Sequence, residues 1–193
     1  MVIFDVAAFG TSLTENTIHS IATGQWQESL QRFLTPGRQS RVRVYNAGIG
    51  GATSAQGLAN IERVLRFRPK VVTLEFNMND CATSFSISPS QSQTNHVSMI
   101  NAIQSALPNA LIYLLTMNPP IGAAVSGRPN IESYNDVYRS LAASLQGVDI
   151  IDTAPLWAGA TTAELPDNVH PTLAALNSKV VPAIAAALAP IVP

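Results

Sequence analysis

The chain alternates between short apolar runs rich in β-branched residues and longer segments with helical spacing, and few folds accommodate that order. The strand-like runs are 2–9 (VIFDVAAF), 41–47 (RVRVYNA), 70–76 (KVVTLEF), 110–117 (ALIYLLTM) and 148–153 (VDIIDT). Helical patterns fill roughly 20–34, 53–67, 90–106, 131–145 and 172–189. In 53–67, for example, Leu58, Ile61, Val64 and Leu65 recur at helical spacing before RPK ends the run. A strand–helix–strand unit closes by a right-handed crossover, so such an order builds a parallel sheet covered on both faces. Five strands predict an α/β fold: a three-layer α/β/α sandwich with a five-stranded parallel sheet in flavodoxin-like order, 2-1-3-4-5. At 193 residues, the expectation is a single domain spanning 1–193.

This architecture places ligands outside the carboxyl ends of the strands. The segments expected there are GTSLTEN, GIGGATS, NMNDCATSFSISPSQSQTN, NPPIGAAVSGRPN and APLWAGATTAELPDNVHP. They hold many of the polar groups capable of chemistry, and the longer ones are expected to wall a cleft.

Composition narrows the partners. Only 12% of residues are charged and the formal net charge is -1, which gives no electrostatic footprint for nucleic acid or an anionic membrane surface. The single cysteine, Cys81, excludes an intramolecular disulfide and reads as a small packed residue. MVIFDVAAFG has no basic n-region, so no signal peptide is expected there, and either a cytoplasmic site or secretion after trimming is compatible. The apolar tail VVPAIAAALAPIVP is interrupted by prolines and is shorter than the ~20 residues of a membrane span. It is expected to be a helix packed on the sheet.

The first strand runs directly into AFGTSLTE, where Ser12 sits on a bend of small residues. A hydroxyl is a weak nucleophile at neutral pH and needs a base. The chain has three histidines. His19 and His96 lie in helix-like stretches, where a packed or solvated ring is expected. His170 lies in PDNVHP, three residues after Asp167. In a tight turn, that spacing brings the carboxylate to the Nδ1–H of His170 and leaves Nε2 outward as base. Taken alone, the spacing also fits a capping or turn role.

An oxyanion needs donors already aimed at it. NAGIGGATS supplies glycines that allow close backbone approach, and a dinucleotide fingerprint starting at Gly48 fails because its third glycine is Thr53. Asn79 in NMND carries a donating amide, although a strand-ending Asx turn would use the same residue.

Taken in order, FGTSLT, NAGIGGAT, NMND and DNVHP resemble the four blocks of the SGNH, or GDSL-type, serine hydrolase superfamily, over essentially the whole chain. The resemblance implies that Ser12 is the nucleophile, His170 the general base and then acid, and Asp167 its orienting partner. It implies an oxyanion hole made by the N–H groups of Ser12 and Gly51 and the side-chain amide of Asn79. It calls for no metal and no cofactor. Thr11 stands where the family has an aspartate that holds the oxyanion loops, and Asn77 where it has a glycine. Neither is a reacting group.

The polar, small-residue loops suggest a shallow cleft for small ester substrates with short acyl chains, such as acetyl esters of carbohydrates or aryl esters. Leu156 and Trp157 offer an apolar wall, although Trp157 fits the core equally. The alternatives are a thioesterase or lysophospholipase acting on longer chains, and a non-catalytic carbohydrate-binding module that retains the fold.

Overall fold

A computed structural model describes residues 2–18, 24–37 and 39–193. Five parallel strands form one sheet in the order β2-β1-β3-β4-β5: β1 (Val2–Gly10), β2 (Ser40–Asn46), β3 (Val71–Glu75), β4 (Leu111–Thr116) and β5 (Val148–Asp152). This is the order expected from the sequence, and each strand lies within two residues of its expected bounds.

Alternation along β1 divides the core. Phe4, Val6 and Ala8 pack with Trp26 and Leu30 of α2 (Trp26–Leu34) and with Val180 and Ile184 of α8 (Leu173–Leu188). Ala7 and Phe9 point the other way, into a layer with Met99 and Ile100 of α6 (Pro89–Ala106) and Tyr138 of α7 (Ile131–Ser144). Two-sided burial is what a parallel sheet requires of its apolar runs.

The helix expected over 53–67 is two short helices, α3 (Ser54–Ala59) and α4 (Glu62–Leu65). Thr53 and Gln56 form a capping box at the start of α3. At the break, Asn60 caps α3 and turns its amide back onto the Gln56 carbonyl; within α3, Gly57 lies so close to the Phe76 ring that a Cβ would overlap it. The helix expected at 20–34 is described from Trp26, and His19 lies outside the described residues. Two further one-turn helices, α1 (Ser12–Glu15) and α5 (Asn77–Asp80), start directly after β1 and β3. No described helix is long and apolar enough to cross a membrane.

Candidate active site

β1 ends at Gly10, and the chain turns at once into α1, so Ser12 sits at the carboxyl edge of the sheet. Thr11 caps α1, its hydroxyl accepting from the Leu13 N–H at 3.2 Å. Gly10 is required by close packing: a Cβ there would overlap Thr14 Oγ1 and the Glu75 carbonyl oxygen.

Beside this turn, the segment before α8 folds so that Asp167 Oδ1 accepts from the N–H groups of Val169 and His170, at 3.0 and 2.7 Å. Its other oxygen, Oδ2, lies 2.6 Å from His170 Nδ1. Burial alone would raise the Asp167 carboxyl. The backbone and ring hydrogen bonds from His170, and that from the Val169 N–H, outweigh it and bring the pKa down to about 2. An ionised carboxylate only accepts, so Nδ1 carries the proton and Nε2 presents its lone pair. That lone pair faces Ser12 Oγ at 2.8 Å. Ser12, His170 and Asp167, chosen from the sequence, are thus brought into one hydrogen-bonded chain.

The glycine loop after β2 packs on α1. Asn46 donates to the Glu15 carbonyl at 2.9 Å and accepts from the Gly48 N–H at 3.0 Å. The Ile49 N–H bonds the Gly10 carbonyl at 2.9 Å. A turn then closes from the Ala52 N–H to the Ile49 carbonyl, with Gly51 at a φ of 74°. Its third residue needs a positive φ, which glycine adopts without steric cost. Asn79, buried on α5, donates to the Ala52 carbonyl at 2.9 Å, which ties its amide to the Gly51 loop and leaves a second amide hydrogen uncommitted.

Behind these donors lies a buried polar network. Asp80 accepts from the Ser54 N–H at 2.7 Å and from the Ser92 hydroxyl at 2.6 Å, pinning α3 and α6 to α5. Asn77 donates to Asn135 of α7 at 3.0 Å, so the asparagine in the place of a glycine is used as a tie. Arg128 adds a bond to the Met78 carbonyl at 3.1 Å.

Other candidates from the sequence fall outside this cluster. His96 is fully buried in α6, and burial lowers its pKa. Burial pushes the Cys81 thiol up to about 12, which suppresses thiolate chemistry. Trp157 is core, with Lys179 over its ring, whereas Leu156 is exposed. The described residues contain no group of three or more His, Cys, Asp or Glu that could hold a metal ion.

Two residues the sequence reading passed over also shape the site. Asn118, just after β4, donates to the Val169 carbonyl at 2.7 Å, and Glu75 at the end of β3 accepts from the Ser12 turn. A lone acid inside the apolar run VVTLEF was the available signal for Glu75.

Comparison with known proteins points the same way. Over 134 residues, the chain is 30% identical to esterase TesA of Pseudomonas aeruginosa, a match spanning 69% of this chain and 63% of that relative. The crystal structure of TesA superposes with a TM-score of 0.76 at 27% identity, covering 96% of this chain and 98% of that one. AlinE4, an SGNH-hydrolase family esterase, superposes at 0.68 with 25% identity, covering 100% and 98%. Residues 8–175, from the strand that leads into the Ser12 turn to the first turn of α8, match the GDSL-like lipase/acylhydrolase family, and the chain belongs to it.

Proposed function

We propose that the chain, acting as one catalytic domain over 1–193, is a serine esterase that hydrolyses short-chain acyl esters through an acyl-enzyme. The observation that carries this reading is the run from Ser12 Oγ to His170 Nε2 at 2.8 Å and from His170 Nδ1 to Asp167 at 2.6 Å. Ser12 Oγ attacks the ester carbonyl while His170 Nε2 takes its proton, and Asp167 stabilises the imidazolium that forms. The Ser12 and Gly51 N–H groups and the Asn79 amide receive the negative charge on the carbonyl oxygen. Collapse breaks the ester C–O bond, and His170 returns the proton to the leaving alcohol. Water, activated by the same ring, then attacks the acyl carbonyl and releases the acid and Ser12.

Small polar loops favour short acyl groups, including acetyl groups on carbohydrates. With Trp157 taken into the core, Leu156 alone remains of the apolar wall expected beside the last loop. One observation favours the longer-chain reading. Phe85 and Val125 are exposed on the loops after β3 and β4, which are tied together by the Thr83 hydroxyl on the Gly127 carbonyl.

A p-nitrophenyl ester series from two to twelve carbons tests both. Peak kcat/KM at two to four carbons is expected; a peak at eight or more transfers the proposal to a thioesterase or lysophospholipase. Ser12→Ala is expected to lose roughly 10⁴-fold or more in kcat, and Asn79→Ala roughly 10²–10³-fold. A wild-type protein that neither hydrolyses these esters nor is labelled by a serine-directed phosphonate removes the enzymatic reading.

A further inference from the structure

Gly10 and Glu75 are register partners on adjacent parallel strands, so the side chain of Glu75 emerges beside the turn that follows β1. It is 1% exposed. Its Oε2 collects three donors from that turn: the Thr11 N–H at 3.1 Å, the Thr11 hydroxyl at 2.8 Å and the Thr14 hydroxyl at 3.2 Å. The Thr11 N–H is shared with the Glu75 carbonyl oxygen at 3.0 Å. Thr11 and Thr14 bracket Ser12 and Leu13, so one carboxyl oxygen grips the nucleophile turn at both ends.

Nothing else accounts for an acid here. Among the described residues, the ionisable groups facing Glu75 are Asp80 of α5, Cys81 after it and Tyr138 of α7, and none is a cation. Its other oxygen, Oε1, has no hydrogen-bond partner among the described residues. Burying such a group costs stability that an apolar residue would not. On its own face of β3, Glu75 follows Val71, an apolar core residue, and Thr73, a buried hydroxyl, and it is the one ionisable side chain of the strand.

We propose that Glu75 is a positioning residue for the nucleophile, acting through Thr11 and Thr14 to hold Ser12 at hydrogen-bond distance from His170. The proposal rests on the serine-esterase reading. It also accounts for Thr11: the acid expected within the turn is one strand away, and the turn supplies the hydroxyls that reach it. Misplacing a reacting atom by about 1 Å costs roughly 10²-fold in rate, so a loosened turn is felt in kcat before KM.

The test compares Thr11→Val, Thr11→Ser, Thr14→Val and Glu75→Gln on a short-chain p-nitrophenyl ester, alongside the rate of Ser12 labelling by a phosphonate. Thr11→Val is expected to lower kcat and the labelling rate together by roughly 10- to 100-fold, with KM within about threefold of wild type. Thr11→Ser keeps the hydroxyl and is expected to stay within about threefold of wild type in both. Thr14→Val removes one of the three donors and is expected to fall between them, which keeps the proposal open to refutation should Thr11→Val not fold. Glu75→Gln retains an acceptor oxygen and is expected to fall less than Thr11→Val. Folded Thr11→Val and Thr14→Val proteins with wild-type kcat and labelling rate overturn the proposal, as does a Thr11→Ser loss equal to that of Thr11→Val. If wild type is active and labelled, such a result overturns the positioning role alone. If wild type is neither, the serine-esterase reading falls first.

Discussion

Asn118 and Val169 are 51 residues apart in sequence, and the amide of the first donates to the carbonyl of the second at 2.7 Å. This bond fastens the loop after β4 to the residue immediately before His170. A second tie lies beside it, where the Ile121 N–H meets the Asn168 carbonyl at 2.9 Å. The His170 ring therefore takes its position from a neighbouring loop as well as from its own turn. Replacing Asn118 by Ala removes a hydrogen bond of about 1 kcal/mol, and kcat is expected to fall roughly five- to tenfold with KM little changed. Asn118→Asp keeps the size but sets a carboxylate oxygen against the Val169 carbonyl, and is expected to fall at least as far as the alanine variant. Steady-state kinetics on one ester checks both.

His96 is driven toward its neutral form by burial, against the opposing pull of Asp80 and the Ser92 carbonyl. Nδ1 donates to the Ser92 carbonyl at 2.7 Å, so Nε2 accepts from the Tyr138 hydroxyl at 2.8 Å, and that hydroxyl oxygen in turn accepts from the Phe76 N–H at 2.9 Å. Burial lowers the folded-state pKa below the ordinary 6.5. Below that value the unfolded chain binds the extra proton, so this residue's contribution to stability is present at neutral pH and is lost as the pH falls through the acid range. In Glu75→Gln, where this contribution is unopposed, the urea midpoint is expected to rise from pH 5 to pH 6.5.

Glu75 acts with the opposite sign. Burial, opposed by the Thr11 and Thr14 hydrogen bonds, raises its pKa from 4.5 to about 7. The folded state binds the extra proton between those values. Its contribution is therefore complete below about pH 4.5 and is lost as the pH rises through about 7, a change of about 3 kcal/mol. In His96→Gln, where this slope is unopposed, the urea midpoint is expected to fall between pH 5 and pH 7. The wild-type midpoint is expected to vary less than that of either variant, because the two slopes oppose each other.

Gly10 allows the strand and the turn to meet. An alanine Cβ at this position would overlap Thr14 Oγ1 and the backbone oxygen of Glu75, and the backbone oxygen cannot swing aside. Gly10→Ala is expected to cost about 1–3 kcal/mol of stability and to lower kcat by roughly 100-fold, read by denaturant titration and ester kinetics.

The strands were legible because a buried parallel strand must be a short apolar run, and the one other long apolar stretch, the tail from Val180, is Ala- and Pro-rich rather than β-branched throughout. The proposed reacting side chains, Ser12, Asp167 and His170, were legible from the order of four short patterns that together resemble a known family, since taken alone each pattern also fits a turn. The supporting residues were not. Glu75 acts on residues 11 and 14 across a strand pair, and Asn118 on residue 169 across two loops, so nothing near either in sequence announces its partner. The break between α3 and α4 was hidden as well. Leu58, Ile61, Val64 and Leu65 carry helical periodicity, but α3 ends where Asn60 turns its backbone and side-chain N–H groups onto the preceding turn.

The hydrogen bond between Ser12 and His170 spans 158 positions, from the turn after the first strand to the segment before the last helix. Contacts of such long range form slowly, because much of the intervening chain must be ordered before they are rewarded. Hydrolytic activity is therefore a late reporter of refolding. When the protein is diluted from denaturant, helical signal is expected to return first and ester turnover last. The lag between them measures the time these two segments, far apart in sequence, take to meet.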